Sequence, residues 1–185
     1  MKTFSYSLAR NYAARCGIWI GAMWIASFYC YMGGLSQPLL ANMGLFTGLL
    51  SLILCGTLLR SFRRNVCHLN FLRAWWMAWL IFLYASLLTA ASQFVYFRYI
   101  DNGRLVNIYT DLLRQPEYKQ LMTAMMPGEN AEEVTQQALD LISSLSPIEI
   151  TVELMIYNIS LSFLLAVPVA LIGITGRKTE RNLNK

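Results

Sequence analysis

The chain has 185 residues, 56% hydrophobic and 14% charged, proportions that exclude both a water-soluble domain and a disordered chain. Its formal net charge of +5 comes without the aromatic interleaving or motif of a nucleic-acid-binding protein. The distribution of that charge along the chain is therefore what matters.

Four apolar runs, 16–37, 39–59, 74–97 and 150–175, each reach the roughly 20 residues needed to cross about 30 Å of hydrocarbon. Arg10 and Arg15 ahead of the first run imitate a signal peptide. The run exceeds the length of a signal's apolar region, and no small-residue cleavage pattern closes it, so it reads as an uncleaved first span. It holds a GxxxG pair, Gly17 and Gly21, and the second run holds another, Gly44 and Gly48, with Cys55 and Gly56 continuing near the same face. Small residues let helix backbones approach closely, so the first two spans are expected to pack on each other. Gly33, Gly34, Leu35, Ser36, Gln37 and Pro38 leave room only for a tight turn, which makes these spans an antiparallel hairpin.

Basic residues lie on alternate sides of the runs. Lys2, Arg10 and Arg15 precede the first; Arg60, Arg63, Arg64 and Arg73 fill the loop at 60–73; Arg177, Lys178, Arg181 and Lys185 form the tail at 176–185. Together they are 11 of the 15 basic residues, and the positive-inside rule places them, with both termini, in the cytoplasm. The segment at 98–148 then lies on the other face and is acidic, with Asp101, Asp111, Glu117, Glu129, Glu132, Glu133 and Asp140 against Arg98, Arg104, Arg114 and Lys119.

In the third run Ser86, Thr89 and Gln93 form a polar stripe at helical spacing. Counting about 20 residues from Arg73 brings Gln93 near the outer edge of the hydrocarbon, and the same count back from Arg177 leaves Glu153 in the outer headgroup layer. No ionisable side chain reaches the bilayer centre, which counts against proton-coupled pumps and intramembrane hydrolases. Gln93, Arg98, Glu153 and Asn158 are candidates for an outer polar vestibule, and the same positions suit plain anchoring at the interface.

The segment between the third and fourth runs is patterned. Leu105, Ile108, Tyr109, Leu112 and Leu113 recur at helical spacing; Leu121, Met122 and Met125 follow a break at Pro116. Pro127, Gly128, Glu129 and Asn130 make a turn, and Asn130 caps a stretch whose Val134, Ala138, Leu141 and Leu145 share a face beside Ile142. Two or three amphipathic helices are expected, packed on lipid, on the ends of the spans or on a partner. Ser146, Pro147 and Glu149 read as N-cap, first helical residue and capping-box acid of the last helix. Pro168 inside the last run can loosen that helix at Leu164.

Cys16, Cys30, Cys55 and Cys67 fall in spans or cytoplasmic sequence, so no disulfide framework is expected. Cys67 stands beside His68, the sole histidine, which is too few ligands for a metal. No catalytic residue, cofactor site or metal site is expected. The fold class is all-α: a four-helix transmembrane bundle with an amphipathic helical extracytoplasmic insertion between the third and fourth spans, forming one integral membrane domain.

The chain resembles the bacterial domain-of-unknown-function family numbered 4199. The likeness rests on Ala14, Arg15, Cys16 and Gly17 with Gly21 one turn on; on Arg60, Phe62, Arg63 and Arg73; on Tyr96, Phe97, Arg98, Tyr99, Ile100 and Asp101; and on Leu145, Ser146 and Pro147. Cys16 stands where an aromatic such as Tyr is expected. The resemblance implies a small four-span bacterial inner-membrane protein with no established activity. It further implies an accessory role in envelope assembly beside a membrane-linked glycosyltransferase. The preferred function is a non-enzymatic accessory subunit contacting membrane lipids and another envelope protein. A lipid or small-solute translocator is the alternative. An enzyme acting on an envelope lipid ranks third, since Glu153 and Asp101 are its only reasonable outer acids.

Overall fold

The structure, a computed structural model, describes residues 6–35, 37–66, 69–125 and 131–175. Lys2, Ser36, the Cys67–His68 pair, the turn at Pro127, Gly128, Glu129 and Asn130, and the basic tail lie outside the described residues, as do the side chains of Lys119, Met122, Met125, Glu132 and Ile142. Among the described residues seven helices follow in order: α1 (Tyr6–Gly34), α2 (Pro38–Asn65), α3 (Phe71–Tyr99), α4 (Arg104–Arg114), α5 (Pro116–Met125), α6 (Ala131–Ser144) and α7 (Pro147–Ile174). There is no strand among the described residues. Helices α2, α5 and α7 each begin on a proline, a position where the missing N–H costs nothing and the fixed φ already suits a helix. Pro168 sits within α7 without ending it.

Among the described residues, helices α1, α2, α3 and α7 are the four long and apolar enough to cross a membrane. At 28 or 29 residues each is about 42 Å long, well over the hydrocarbon thickness. They overrun the apolar stretches at the basic end, where α1 starts at Tyr6 and α2 runs on to Asn65 through Arg60, Arg63 and Arg64. Arginine is a good helix former, so nothing stops the helix where the hydrophobicity stops.

The chain divides into two compact units, Met1–Gln93 with Glu153–Lys185, and Phe94–Val152. In the first unit apolar side chains fill the core and also cover the exterior. Ser51, Ser86 and Ser162 are buried, while Ile18, Trp19, Leu45, Phe46, Ile53 and Leu164 are each more than half exposed. Such an apolar exterior suits lipid, and buried serines and alanines among the larger apolar side chains let the helices approach closely. The core itself runs through Ala13, Ile20, Cys55, Leu59, Met77, Phe82, Ala85 and Ala170.

Close backbone approach organises this unit. A Cβ on Gly17 would stand 2.5 Å from Tyr84 Cβ and 3.1 Å from the Ile81 carbonyl oxygen, and one on Gly21 would stand 3.3 Å from Ala85 Cα. The first GxxxG therefore seats α1 on α3. The second seats α2 on α1, since a Cβ on Gly44 would meet the Ser27 carbonyl oxygen at 2.9 Å. The two motifs, expected to share one interface between the first two spans, serve different neighbours. A GxxxG announces a close approach without naming the partner, and α3 claims the first. Trp24 reinforces both seams, stacking on Phe82 of α3 with ring centroids 5.5 Å apart and donating its indole N–H to Ser51 Oγ of α2 at 2.9 Å.

Helix α7 joins at one end. A Cβ on Gly56 would meet Ile172 Cγ2 at 2.7 Å, and one on Gly173 would meet Leu59 Cβ at 3.0 Å. Arg60 donates to the Ile172 carbonyl at 3.0 Å, and Arg63 donates to the carbonyls of Gly173 and Ile174. Two guanidinium groups from α2 thus cap the last turn of α7, satisfying carbonyls that have no partner within the helix and opposing its C-terminal dipole.

In the second unit α4, α5 and α6 contact one another pairwise. The turn into α4 uses left-handed backbone at Asn102 and Gly103, with φ of 46° and 79°, conformations that glycine and asparagine adopt at least cost. The Asp101 carboxylate accepts the Leu105 N–H at 3.2 Å, a capping task for one of the two acids that an enzymatic reading would need. The capping box of α7 is formed: Ser146 N–H donates to Glu149 Oε2 at 2.7 Å, and the Glu149 N–H returns to Ser146 Oγ at 3.4 Å.

Candidate functional site: a cleft between α2 and α7

Helices α2 and α7 meet at the arginine end and part toward the other. The wedge left between them, backed by α1 and α3, is a cavity of about 660 Å³, within the range of roughly 300–1,000 Å³ usual for small-molecule sites. All of it belongs to the first unit. Each helix gives one face. Trp24, Phe28 and Tyr31 of α1 follow at i, i+4 and i+7; Gly44, Gly48 and Leu52 of α2 stand at intervals of four; Asn158, Leu161, Ser162 and Leu165 of α7 complete a third stripe. From α3 come Thr89 and Gln93. At the rim, Leu45 and Leu49 are each more than half exposed.

The polar groups of this cleft have an unusual balance. Ser27 Oγ donates to the Gly44 carbonyl at 2.7 Å, Thr89 Oγ1 to Ala85 at 2.9 Å, and Ser162 Oγ to Asn158. With those protons committed to backbone carbonyls, the hydroxyls keep only lone pairs to offer. Gln93 is 4% exposed, and its Oε1 is buried without a hydrogen-bond partner. No lining residue is ionisable in the carboxylate, ammonium or guanidinium sense.

Of the four vestibule candidates, Gln93 and Asn158 line the cleft together. Glu153 does not: it is exposed on α7. Arg98 is exposed in the last turn of α3 and belongs to the second unit, where its charge opposes the C-terminal dipole of that helix. Both separations have one cause. Glu153 is five residues from Asn158, and Arg98 is five from Gln93; five residues turn a helix by about 140°, so each charge points away from the face its neighbour occupies. Of the other cysteines and acids, no three His, Cys, Asp or Glu side chains gather as a metal site among the described residues. Sequence reasoning missed the α1 wall of the cleft, although the aromatic spacing of Trp24, Phe28 and Tyr31 carried the signal.

Fold and cleft together define a four-span helical membrane protein with three short helices placed between its third and fourth spans. The chain belongs to the family described as protein of unknown function (DUF4199), which matches residues 15–173. No match was found among curated proteins or among solved structures.

Proposed function

We propose that this protein is a non-enzymatic accessory protein of a bacterial inner membrane that holds an amphipathic membrane molecule in the α2–α7 cleft. The cleft carries this reading: it is large enough for a headgroup with part of its chain, apolar over most of its wall, and rimmed by the exposed leucines Leu45 and Leu49. The test is extraction in mild detergent followed by mass spectrometry of retained lipid. One lipid is expected to stay near stoichiometric with the native protein and to be lost from Gly48→Leu, which fills the cleft at a position where a Cβ meets nothing nearer than Ser27 Oγ at 3.6 Å. Equal retention of bulk lipid by both proteins would refute the proposal. Transport of the held molecule across the bilayer is the stronger form of the same function.

A second reading, a subunit that docks on another envelope protein, is favoured by Leu112, Leu121 and Leu141, which stand exposed on α4, α5 and α6. A stoichiometric co-purifying protein, a glycosyltransferase among the expected kinds, would support it.

Charge supports an orientation with both termini and the α2–α3 connection in the cytoplasm and α4–α6 outside. In a background without native cysteines, an impermeant maleimide is expected to label Glu117→Cys on intact cells and Asn65→Cys only after permeabilisation. Labelling of both from one side sinks the four-span topology.

A further inference from the structure

The chemistry of the cleft narrows the class of molecule it takes. Resting on the cleft-binding proposal above, we infer that the ligand is an uncharged lipid whose headgroup donates hydrogen bonds from hydroxyls, with Gln93 as the residue that reads it. Polar side chains line the cavity from all four long helices: Ser27 and Tyr31, Asn42, Thr89 and Gln93, and Asn158 and Ser162. The hydroxyls of Ser27, Thr89 and Ser162 have each given their proton to a helix carbonyl, so those three present acceptors alone, while the amides of Asn42 and Asn158 can also donate. Trp24 offers no spare donor, because its N–H goes to Ser51 Oγ. Gln93 adds a carbonyl oxygen that is buried and unpartnered, a state that in a low-dielectric interior is unfavourable until a donor arrives.

No Lys, Arg or His lines the cleft to pair with a phosphate, whose desolvation would go uncompensated. The cleft also lacks a carboxylate to pair with an ammonium, whose desolvation at this depth would go uncompensated. A hydroxyl fits both constraints. It gives a proton to Gln93 Oε1 and can take one from the Gln93 amide, while an alkyl chain leaves past Leu45, Leu49 and Leu161 toward the surrounding hydrocarbon. The route is lateral, so the ligand comes from the bilayer rather than from water.

The experiment uses the full-length protein in nanodiscs with four probes sharing one diazirine-bearing acyl chain: diacylglycerol, its hydroxyl O-methyl ether, phosphatidic acid, and an alkylamine. Diacylglycerol is expected to photolabel cleft peptides of α2 and α7 about tenfold more than the other three, the effect of one good hydrogen bond on binding. In Gln93→Leu that preference is expected to fall to the level of the methyl ether, while general acyl labelling and the melting temperature hold. Gln93→Asn, which keeps the amide on a shorter arm, is a second variant expected to retain part of the preference. Equal labelling by all four probes, preference for phosphatidic acid or the amine, or a diacylglycerol preference unchanged in Gln93→Leu overturns the headgroup inference and leaves the cleft as a lipid site. Absence of cleft labelling by every probe overturns it together with the proposed function.

Discussion

Gly17→Leu is expected to abolish recovery of monodisperse protein in mild detergent and to lower the melting temperature of whatever remains by many degrees. The atoms in the way decide the size of the effect. A first side-chain carbon at this position falls 2.5 Å from Tyr84 Cβ and 3.1 Å from the Ile81 carbonyl oxygen, so the clash is with the root of a side chain and with main chain. Neither can swing aside as the end of a flexible side chain would. Overpacking of a core that can relax costs about 1–3 kcal/mol; here relief requires moving α1 off α3, the most buried of the four spans. The separation would also pull Trp24 from its stack on Phe82. Gly48→Leu is the matched control, because its nearest neighbour, Ser27 Oγ, lies 3.6 Å away across open cleft. The comparison is read by size-exclusion chromatography and thermal melting of both variants. Equal behaviour of the two would show that the α1–α3 seam is not the tight contact described.

Membrane spanning was legible because it is a demand of length and polarity that local sequence must meet: about 20 apolar residues for each crossing. The cap of α7 was legible for a similar reason, since Ser146 and Glu149 act within three residues of each other. What sequence could not supply was rotation about the helix axes and choice of neighbour. Counting residues from Arg73 and Arg177 gives a height in the bilayer but no azimuth, and by height alone Arg98 and Glu153 fall beside Gln93 and Asn158. The helix turn then separates them. The aromatic stripe of α1 was equally visible by spacing, yet an aromatic near a span end fits lipid contact as well as a cavity wall. Only the parting of α2 from α7 distinguishes those outcomes, and that depends on contacts at residues 56–60 and 172–173, more than a hundred positions apart.

Those contacts make the arginines of α2 a second sensitive point. Read from sequence, Arg60 and Arg63 are topological signals and any cation would serve. Their hydrogen bonds to the carbonyls of Ile172, Gly173 and Ile174 require a planar fork that reaches several acceptors, which lysine lacks. The double replacement Arg60→Ala with Arg63→Ala is expected to lose about 3–6 kcal/mol, taking about 1.5–3 kcal/mol for each hydrogen-bonding charged group, along with part of the charge bias that orients the second and third spans. The double lysine variant keeps that bias, so it is expected to insert with native orientation while recovering only part of the melting temperature. Hydrogen exchange at the last turn of α7 locates the loss: amides of residues 171–174 are expected to exchange faster in both variants, with those of α1 unchanged. Full recovery of stability by lysine would return these residues to a purely electrostatic role. Partial recovery would instead assign the guanidinium forks themselves the task of holding together, at one end, the two helices that flank the cleft at the other.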